Sequence, residues 1–144
     1  MAKRAGEVLD KQMIAAGVVF EPMSVKSSSV VATSIGRVSF APGRLLPCHV
    51  HNCDETITVL QGTAFSEVRG KRYKLMRDES FTVPDGVPHR SGNASHRRRL
   101  VILCNWNSAQ VQRHDLRPEE CTRRTSELVG RAQEVALHAA DPSR

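Results

Sequence analysis

Residues 42–62 read PGRLLPCHVHNCDETITVLQG, and residues 84–93 read PDGVPHRSGN. In the first stretch His49 and His51 are two positions apart, so on a β-strand their side chains point to the same face. Glu55 follows after a short segment that can bend, and the second stretch adds one histidine after a Pro-Asp-Gly turn. Three imidazoles and one carboxylate form a nitrogen and oxygen set that suits first-row transition metals. The pattern therefore predicts one metal ion bound by His49, His51, Glu55 and His89.

Both stretches resemble the two sequence motifs of the cupin superfamily. The first motif is glycine, His-x-His, glutamate and glycine at set spacings, and it is filled here by Gly43, His49, His51, Glu55 and Gly62. The second motif is matched by Pro84, Gly86, His89 and Asn93, but Asp78 stands where its leading glycine is expected. Aspartate tolerates a left-handed backbone better than most residues other than glycine, so we expect the turn at Asp78 to survive.

The resemblance implies an all-β fold, namely a double-stranded β-helix or jelly-roll barrel, with His49, His51, Glu55 and His89 as metal ligands. It covers about residues 30–106, which we take as the barrel. Residues 1–29 are then an N-terminal extension and residues 107–144 a C-terminal segment. The resemblance also makes a homodimer the expected assembly.

The distribution of apolar residues supports a barrel independently of the motifs. Short apolar and β-branched runs, separated by turn-forming residues, are typical of sandwiches and barrels. If Glu55 points inward on its strand, Ile57 and Val59 point inward too, while Thr56 and Thr58 face outward. The predicted strands are VVF (18–20), SVVATSIGRVSF (29–40), TITVL (56–60), YKL (73–75), SFTV (80–83) and LVILC (100–104).

Short helices are expected at both ends of the barrel. Residues 5–16 have the composition of a short helix that Gly17 would end, although a helix of this length is marginal alone. The C-terminal helix is expected to begin at Pro118, because proline suits the first helical position and Glu119 and Glu120 suit the helix dipole.

The four cysteines, Cys48, Cys53, Cys104 and Cys121, have no CxxC spacing. The N-terminal residues lack the apolar core of a signal peptide, and no apolar run is long enough to span a membrane. We therefore expect a cytoplasmic protein with four reduced thiols and no intrachain disulfide. Cys48 should face away from the metal by alternation, and Cys53 is read as a bystander rather than a thiolate ligand or redox switch.

The net charge of +6 and the cluster at residues 96–99 (His-Arg-Arg-Arg) raise the question of nucleic-acid binding. Few aromatic residues are available for stacking on bases, and no helix-turn-helix pattern is present. We therefore expect neither nucleic acid nor a membrane as a partner. A basic field that attracts a small anionic substrate fits better, with Arg37 or Arg90 as candidate contacts.

The number of ligands favours iron, manganese or nickel, with zinc as a further possibility. Four protein ligands would fill the tetrahedral site that zinc prefers, whereas a six-coordinate ion keeps two positions open. The predicted function is a metal-dependent enzyme acting on a small organic substrate, with dioxygenation as the leading reaction. Glu55 would also be catalytic if it detached and acted as a base.

Two alternatives to a dioxygenase stay open. One is a non-redox enzyme (a decarboxylase, lyase or isomerase) that uses the same ligands, and the other is a non-catalytic protein that binds a small ligand. In each case an apolar substrate pocket is predicted, with walls formed by Phe40, Ile57, Val59, Phe81 and Val83.

Overall fold

Two antiparallel sheets face each other around an apolar core. The computed structural model describes residues 11–23 and 33–139, and for residues 132–139 it describes the backbone. The larger sheet has the strand order β1-β2-β3-β10-β5-β8, and the smaller sheet has the order β11-β4-β9-β6-β7. The strands are β1 (Gln12–Ala15), β2 (Val18–Pro22), β3 (Ser34–Phe40), β4 (His49–His51), β5 (Glu55–Gln61), β6 (Ala64–Val68), β7 (Lys71–Leu75), β8 (Ser80–Val83), β9 (His89–Asn93), β10 (Leu100–Trp106) and β11 (Arg113–Asp115), and they are followed by one helix, α1 (Pro118–Ala139).

This architecture confirms the predicted fold class. Each predicted strand corresponds to an observed one, namely β2, β3, β5, β7, β8 and β10. The second predicted run began at residue 29, but residues 29–32 lie outside the described residues. Most of the strands that composition missed, such as β4, β9 and β11, are short or polar. The clearest case is β4, whose three residues include two histidines.

Alternation along β5 positions the candidate site relative to the core. Glu55, Ile57 and Val59 are buried, while Thr56 and Thr58 are partly exposed, as the period of two predicted. Thr56 shares a hydrogen bond with Thr82 of β8 at 2.9 Å. The inward face of the strand therefore carries the carboxylate and two apolar side chains together.

The predicted short helix over residues 5–16 is wrong for the part that the structure describes, since Gln12–Ala15 forms β1; residues 5–10 lie outside the described residues. Gly17 has a φ of 70° and turns the chain from β1 into β2, so it belongs to a hairpin rather than to a helix end. The physical reason is that hairpin pairing with β2, which itself joins β3, offers contacts that a marginal helix lacks.

The predicted C-terminal helix is confirmed and begins at Pro118, although its last predicted residues, 140–144, lie outside the described residues.

The prediction of four reduced cysteines is wrong, because Cys48 and Cys121 form a disulfide; Cys53 and Cys104 are free and buried. Spacing in the sequence could not show this pairing. The first turn of α1 is brought beside Cys48 by β11, and the Leu116 N–H donates to the Cys48 carbonyl at 2.9 Å.

The turn at Asp78 survives the loss of glycine, as predicted. Asp78 has a φ of 69°, in the left-handed region.

Asn93, the last residue of the second motif, is buried and its side chain bonds the end of β9 to neighbouring residues. Its amide donates to the Arg98 carbonyl at 2.7 Å and its side-chain oxygen accepts from the Ser95 N–H at 2.9 Å. Among the described residues, no helix combines the length and hydrophobicity that crossing a membrane would need.

Candidate metal centre

Four side chains from three strands meet inside the barrel, as the sequence predicted. His49 and His51 lie on β4, His89 begins β9, and Glu55 begins β5 in the opposite sheet. One potential ligand atom from each residue lies within 4.8 Å of those of the other three, and all four residues are buried. His49 and His89 are direct cross-strand partners, which places their rings side by side with centroids 4.3 Å apart. The group could hold a metal ion.

The orientation of the imidazoles is set by backbone carbonyls. His49 Nδ1 donates to the carbonyl of Pro47 at 2.8 Å, and His89 Nδ1 donates to the carbonyl of Val87 at 2.9 Å. Each ring therefore bonds to the residue two positions before it. A proton on Nδ1 leaves the lone pair of Nε2 available, which is the arrangement that fixes a ligating histidine in place.

The third ring, His51, is held by a residue far away in the sequence. Its Nδ1 donates to the carbonyl of Gln112 at 3.0 Å. Gln112 immediately precedes β11, which pairs with β4 and aligns Arg113 with His51. Residues beyond β10 thus contribute to the site through the backbone, and no local pattern in the sequence signals this contact.

Glu55 is an ionised carboxylate in a buried position. Burial raises its pKa, but the adjacent imidazoles of His51 and His89 outweigh burial and hold the pKa of Glu55 well below its usual range. His51 Nε2 lies 2.6 Å from Glu55 Oε2, and His89 Nε2 lies 3.6 Å from the same oxygen. Within the described parts of the chain, no lysine or arginine forms an ion pair with Glu55. A buried carboxylate without a cationic partner is costly, so the site calls for a cation.

The histidines fit that requirement. Burial and, to a smaller extent, neighbouring His89 lower the pKa of His49 to about 3, so its imidazole is neutral and able to bind a metal. His89 Nε2 is fully buried and has no hydrogen-bond partner among the described residues. Buried polar atoms without partners are rare in folded proteins, and this one points among three other potential ligands. The chemistry of the four donors therefore fits a first-row transition metal.

Two further side chains touch Glu55 and were missed by the sequence analysis. The indole of Trp106 donates Nε1–H to Glu55 Oε2 at 3.0 Å. The thiol of Cys104 lies beside the same carboxylate, and burial together with the charge of Glu55 raises its pKa well above the ordinary value. Cys104 therefore stays a neutral thiol. Both residues lie on β10, where only their alternation with outward-facing residues could have suggested an inward position.

The remaining predictions about side chains near the site have separate outcomes. Cys48 is engaged with Cys121, and Cys53 is buried but outside the four-residue group. The predicted pocket residues Phe40, Ile57, Val59 and Val83 lie in the core, with Phe81 packed against it. Contact between these five residues and a substrate stays a prediction.

A cavity of about 280 Å³ lies beside the outward-facing residues of β5, β8 and β10, and Trp106 also contributes to its lining. None of the five predicted pocket residues contributes to it. It is lined by Thr33, Asp54, Thr56, Thr82, Asn105, Trp106 and Asn107.

Comparisons with known proteins agree with the fold. Residues 36–106 match the family model described as a cupin domain. A cupin-2 domain protein from Rhodospirillum rubrum superposes with a TM-score of 0.69 at 13% identity, covering 85% of this chain and 84% of that chain. A cupin-like protein from Thermotoga maritima superposes with a TM-score of 0.60 at 22% identity, covering 74% and 84% of the two chains.

An oxalate oxidase is also similar in structure, with a TM-score of 0.58 at 23% identity. The match covers 66% of this chain and 54% of the oxidase chain. No curated protein matches the sequence. At these identities the structural likeness shows a shared fold and leaves the reaction open.

Proposed function

Because this chain is a small cupin protein, we propose that it is a metal-dependent enzyme that oxidises a small organic substrate in a dioxygenase-type reaction. The observation that carries the proposal is the buried group of three imidazoles and one ionised carboxylate. The rings of that group are already fixed by hydrogen bonds to backbone carbonyls. Preorganisation of this kind is typical of a metal site rather than of a structural polar cluster.

His49, His51 and His89 would hold the ion through Nε2, and Glu55 would hold it through a carboxylate oxygen. Zinc prefers four ligands, whereas iron, manganese and nickel accept six, so the proposal favours the latter group. When bound, such an ion supplies Lewis acidity and, in the case of iron or manganese, redox chemistry with dioxygen. Three neutral imidazoles and one carboxylate leave a divalent ion with a net positive charge, which would attract an anionic substrate.

The side chains and backbone around the ion would orient the ligands, keep the carboxylate ionised and exclude water. The three backbone carbonyls that accept from Nδ1 keep each ring from turning. Glu55 is ionised at neutral pH and so is ready to bind a cation; to act as a base it would first have to leave the ion and the histidines that lower its proton affinity. The buried side chains of Ile57 and Val83 lie next to Glu55 in the core and help to exclude water, which strengthens electrostatic interactions at the site.

The substrate class we favour is a small carboxylic acid. The oxalate oxidase with a similar fold has been solved in complex with glycolate, a small hydroxy acid. This chain has a net charge of +6, which raises the local concentration of anions around it. At 23% identity the neighbour supports the class of substrate and not its identity.

Metal analysis tests the ligand set. Purified wild-type protein should contain one first-row metal ion per chain, while His51→Ala and Glu55→Ala should lose most of it because each removes a direct ligand. His96→Ala and Glu79→Ala are matched controls, since both residues are exposed and lie outside the group. Full metal content in both ligand variants would overturn the assignment.

Reaction assays then separate the classes of function. Fe(II)-loaded protein should consume oxygen with members of a panel of small carboxylic acids and phenols. Under anaerobic conditions, added nitric oxide should give the high-spin iron–nitrosyl signal of an exchangeable coordination position. Product formation without oxygen would instead indicate a decarboxylase, lyase or isomerase. Binding of a panel member without turnover would indicate a non-catalytic binding protein.

A further inference from the structure

Trp106 is the single tryptophan of the chain and lies directly against the candidate metal centre. It ends β10 and is the cross-strand partner of Glu55 on β5. Its indole is buried and donates to Glu55 Oε2 at 3.0 Å. An indole N–H is a donor only, so it can neither bind a cation nor exchange a proton with the carboxylate. The contact can therefore act on Glu55 by orienting it and by stabilising its negative charge.

Two aromatic rings hold the indole in place. Phe20 packs edge-on against Trp106 with ring centroids 5.9 Å apart, and His51 does so with centroids 5.8 Å apart. Such edge-to-face contacts are favoured between aromatic rings and restrict rotation of the indole. Trp106 thus lies between a predicted ligand and a ring from β2.

The position of Phe20 depends in turn on a glycine. A Cβ atom at Gly36 would lie 2.1 Å from Cε2 of Phe20, far closer than two non-bonded carbon atoms can approach. The Phe20 ring therefore lies over β3 only because position 36 has no side chain. Phe20 itself lies outside residues 36–106, which match the family model.

We propose that Trp106 is a positioning residue that holds the Glu55 carboxylate in its metal-binding orientation, and that Phe20 acts through Trp106 from outside the matched domain. This inference rests on the proposed metal function. A free glutamate side chain must lose rotational freedom when it binds an ion, and the indole N–H imposes that loss in advance. Groups that orient metal ligands in this way typically change metal affinity tenfold to hundredfold when removed.

The test compares metal affinity among three variants. Trp106→Phe removes the N–H while keeping an aromatic ring, and Phe20→Leu removes the ring that supports it. Phe65→Leu is the matched control, because Phe65 is a buried aromatic residue that packs over Arg72 and does not touch the group. Affinity for Ni(II) or Fe(II) is measured on metal-free protein by competition with a chromophoric chelator, alongside thermal unfolding of the same metal-free samples.

We expect Trp106→Phe to bind metal about tenfold to hundredfold more weakly than the wild type. Phe20→Leu should show a smaller loss in the same direction, and Phe65→Leu should bind as the wild type does. In a Glu55→Gln background, Trp106→Phe should cost little more, because the carboxylate through which it acts is already gone.

Other outcomes overturn the inference. Unchanged affinity in Trp106→Phe would show that the indole does not position Glu55, and so would an equal loss with and without Glu55→Gln, since that indicates a general packing defect. If Trp106→Phe does not fold, equal affinities of Phe20→Leu and Phe65→Leu would reject it. Failure of the proposed metal function would give a different result from failure of this inference, because the wild-type protein itself would then bind no metal.

Discussion

Removal of the disulfide between Cys48 and Cys121 should lower the free energy of unfolding substantially. The bond joins the residue before His49 to the first turn of α1 across a sequence separation of 73 residues. For a closed loop of that length, the chain-entropy relation gives about 15 cal/mol/K, or about 4 kcal/mol at room temperature. This figure is an upper estimate, because structure retained in the unfolded chain reduces it.

The substitution should also loosen the metal centre. β11 is only three residues long and lies at the edge of its sheet, yet the residue before it supplies the carbonyl that orients His51. The disulfide and the hydrogen bond from Leu116 to Cys48 are what tie the start of α1 to β4. Without the covalent link, fraying of β11 would free the Nδ1 side of His51.

The assay is urea unfolding of metal-free protein without reductant. Cys121→Ser and Cys48→Ser should each lower the free energy of unfolding by about 2–4 kcal/mol, and addition of a dithiol reductant to the wild type should have the same effect. The reductant should change neither variant. Thiol titration of the denatured, unreduced wild type should find the two free cysteines of the structure, Cys53 and Cys104.

Four free thiols in freshly prepared protein, or a Cys121→Ser variant as stable as the wild type, would refute this reasoning. The thiol count also bears on the expected cytoplasmic location, since structural disulfides are typical of oxidising compartments.

Four further predictions concern single sites. Because Trp106 lies beside the group that could hold a metal, titration of metal-free protein with a paramagnetic ion such as Ni(II) should quench the intrinsic tryptophan fluorescence, and an unchanged signal on demonstrated binding would contradict this placement. Gly62→Ala should destabilise the fold by more than about 1 kcal/mol, since Gly62 has a φ of 86° and an added Cβ would lie 2.6 Å from the Arg99 carbonyl oxygen. Gly130→Ala, in the open part of α1, should instead stabilise it by up to about 1 kcal/mol in denaturant unfolding. A hydrogen bond from Arg90 holds the pKa of Glu67 below its usual range, so this pair stabilises the fold at neutral pH and the contribution is lost as the pH falls through that lowered pKa. Glu67→Gln should therefore be less stable than the wild type by up to about 1 kcal/mol at neutral pH and equally stable in acid.

The sequence predicted those parts of the site that depend on local geometry. His49 and His51 share a face because a strand repeats every two residues, and Glu55 shares a face with Ile57 and Val59 for the same reason. The left-handed turn at Asp78 was predictable because few residues tolerate that backbone. In each case the determining contact lies within a few positions along the chain.

Features that depend on contacts between distant residues were not predictable in the same way. The short helix expected over residues 5–16 was wrong for Gln12–Ala15, since helix propensity was weak and the available partner, β2, favoured a hairpin. The disulfide was missed because the proximity of Cys48 and Cys121 is created by the pairing of β11 with β4. No pattern of spacing encodes that pairing.

Both segments flanking the matched domain turn out to reach the candidate metal centre by an indirect route. From the N-terminal side, Phe20 packs on Trp106, which donates to Glu55. From the C-terminal side, the carbonyl of Gln112 accepts from His51. The two sequence motifs identify the four side chains that would bind the ion, but the affinity of a metal site also depends on how rigidly those side chains are held. In this chain two of the four predicted ligands are held by residues outside the motifs, so variation in the terminal segments is a physically direct way for proteins of this fold to differ in metal affinity while keeping the same ligands.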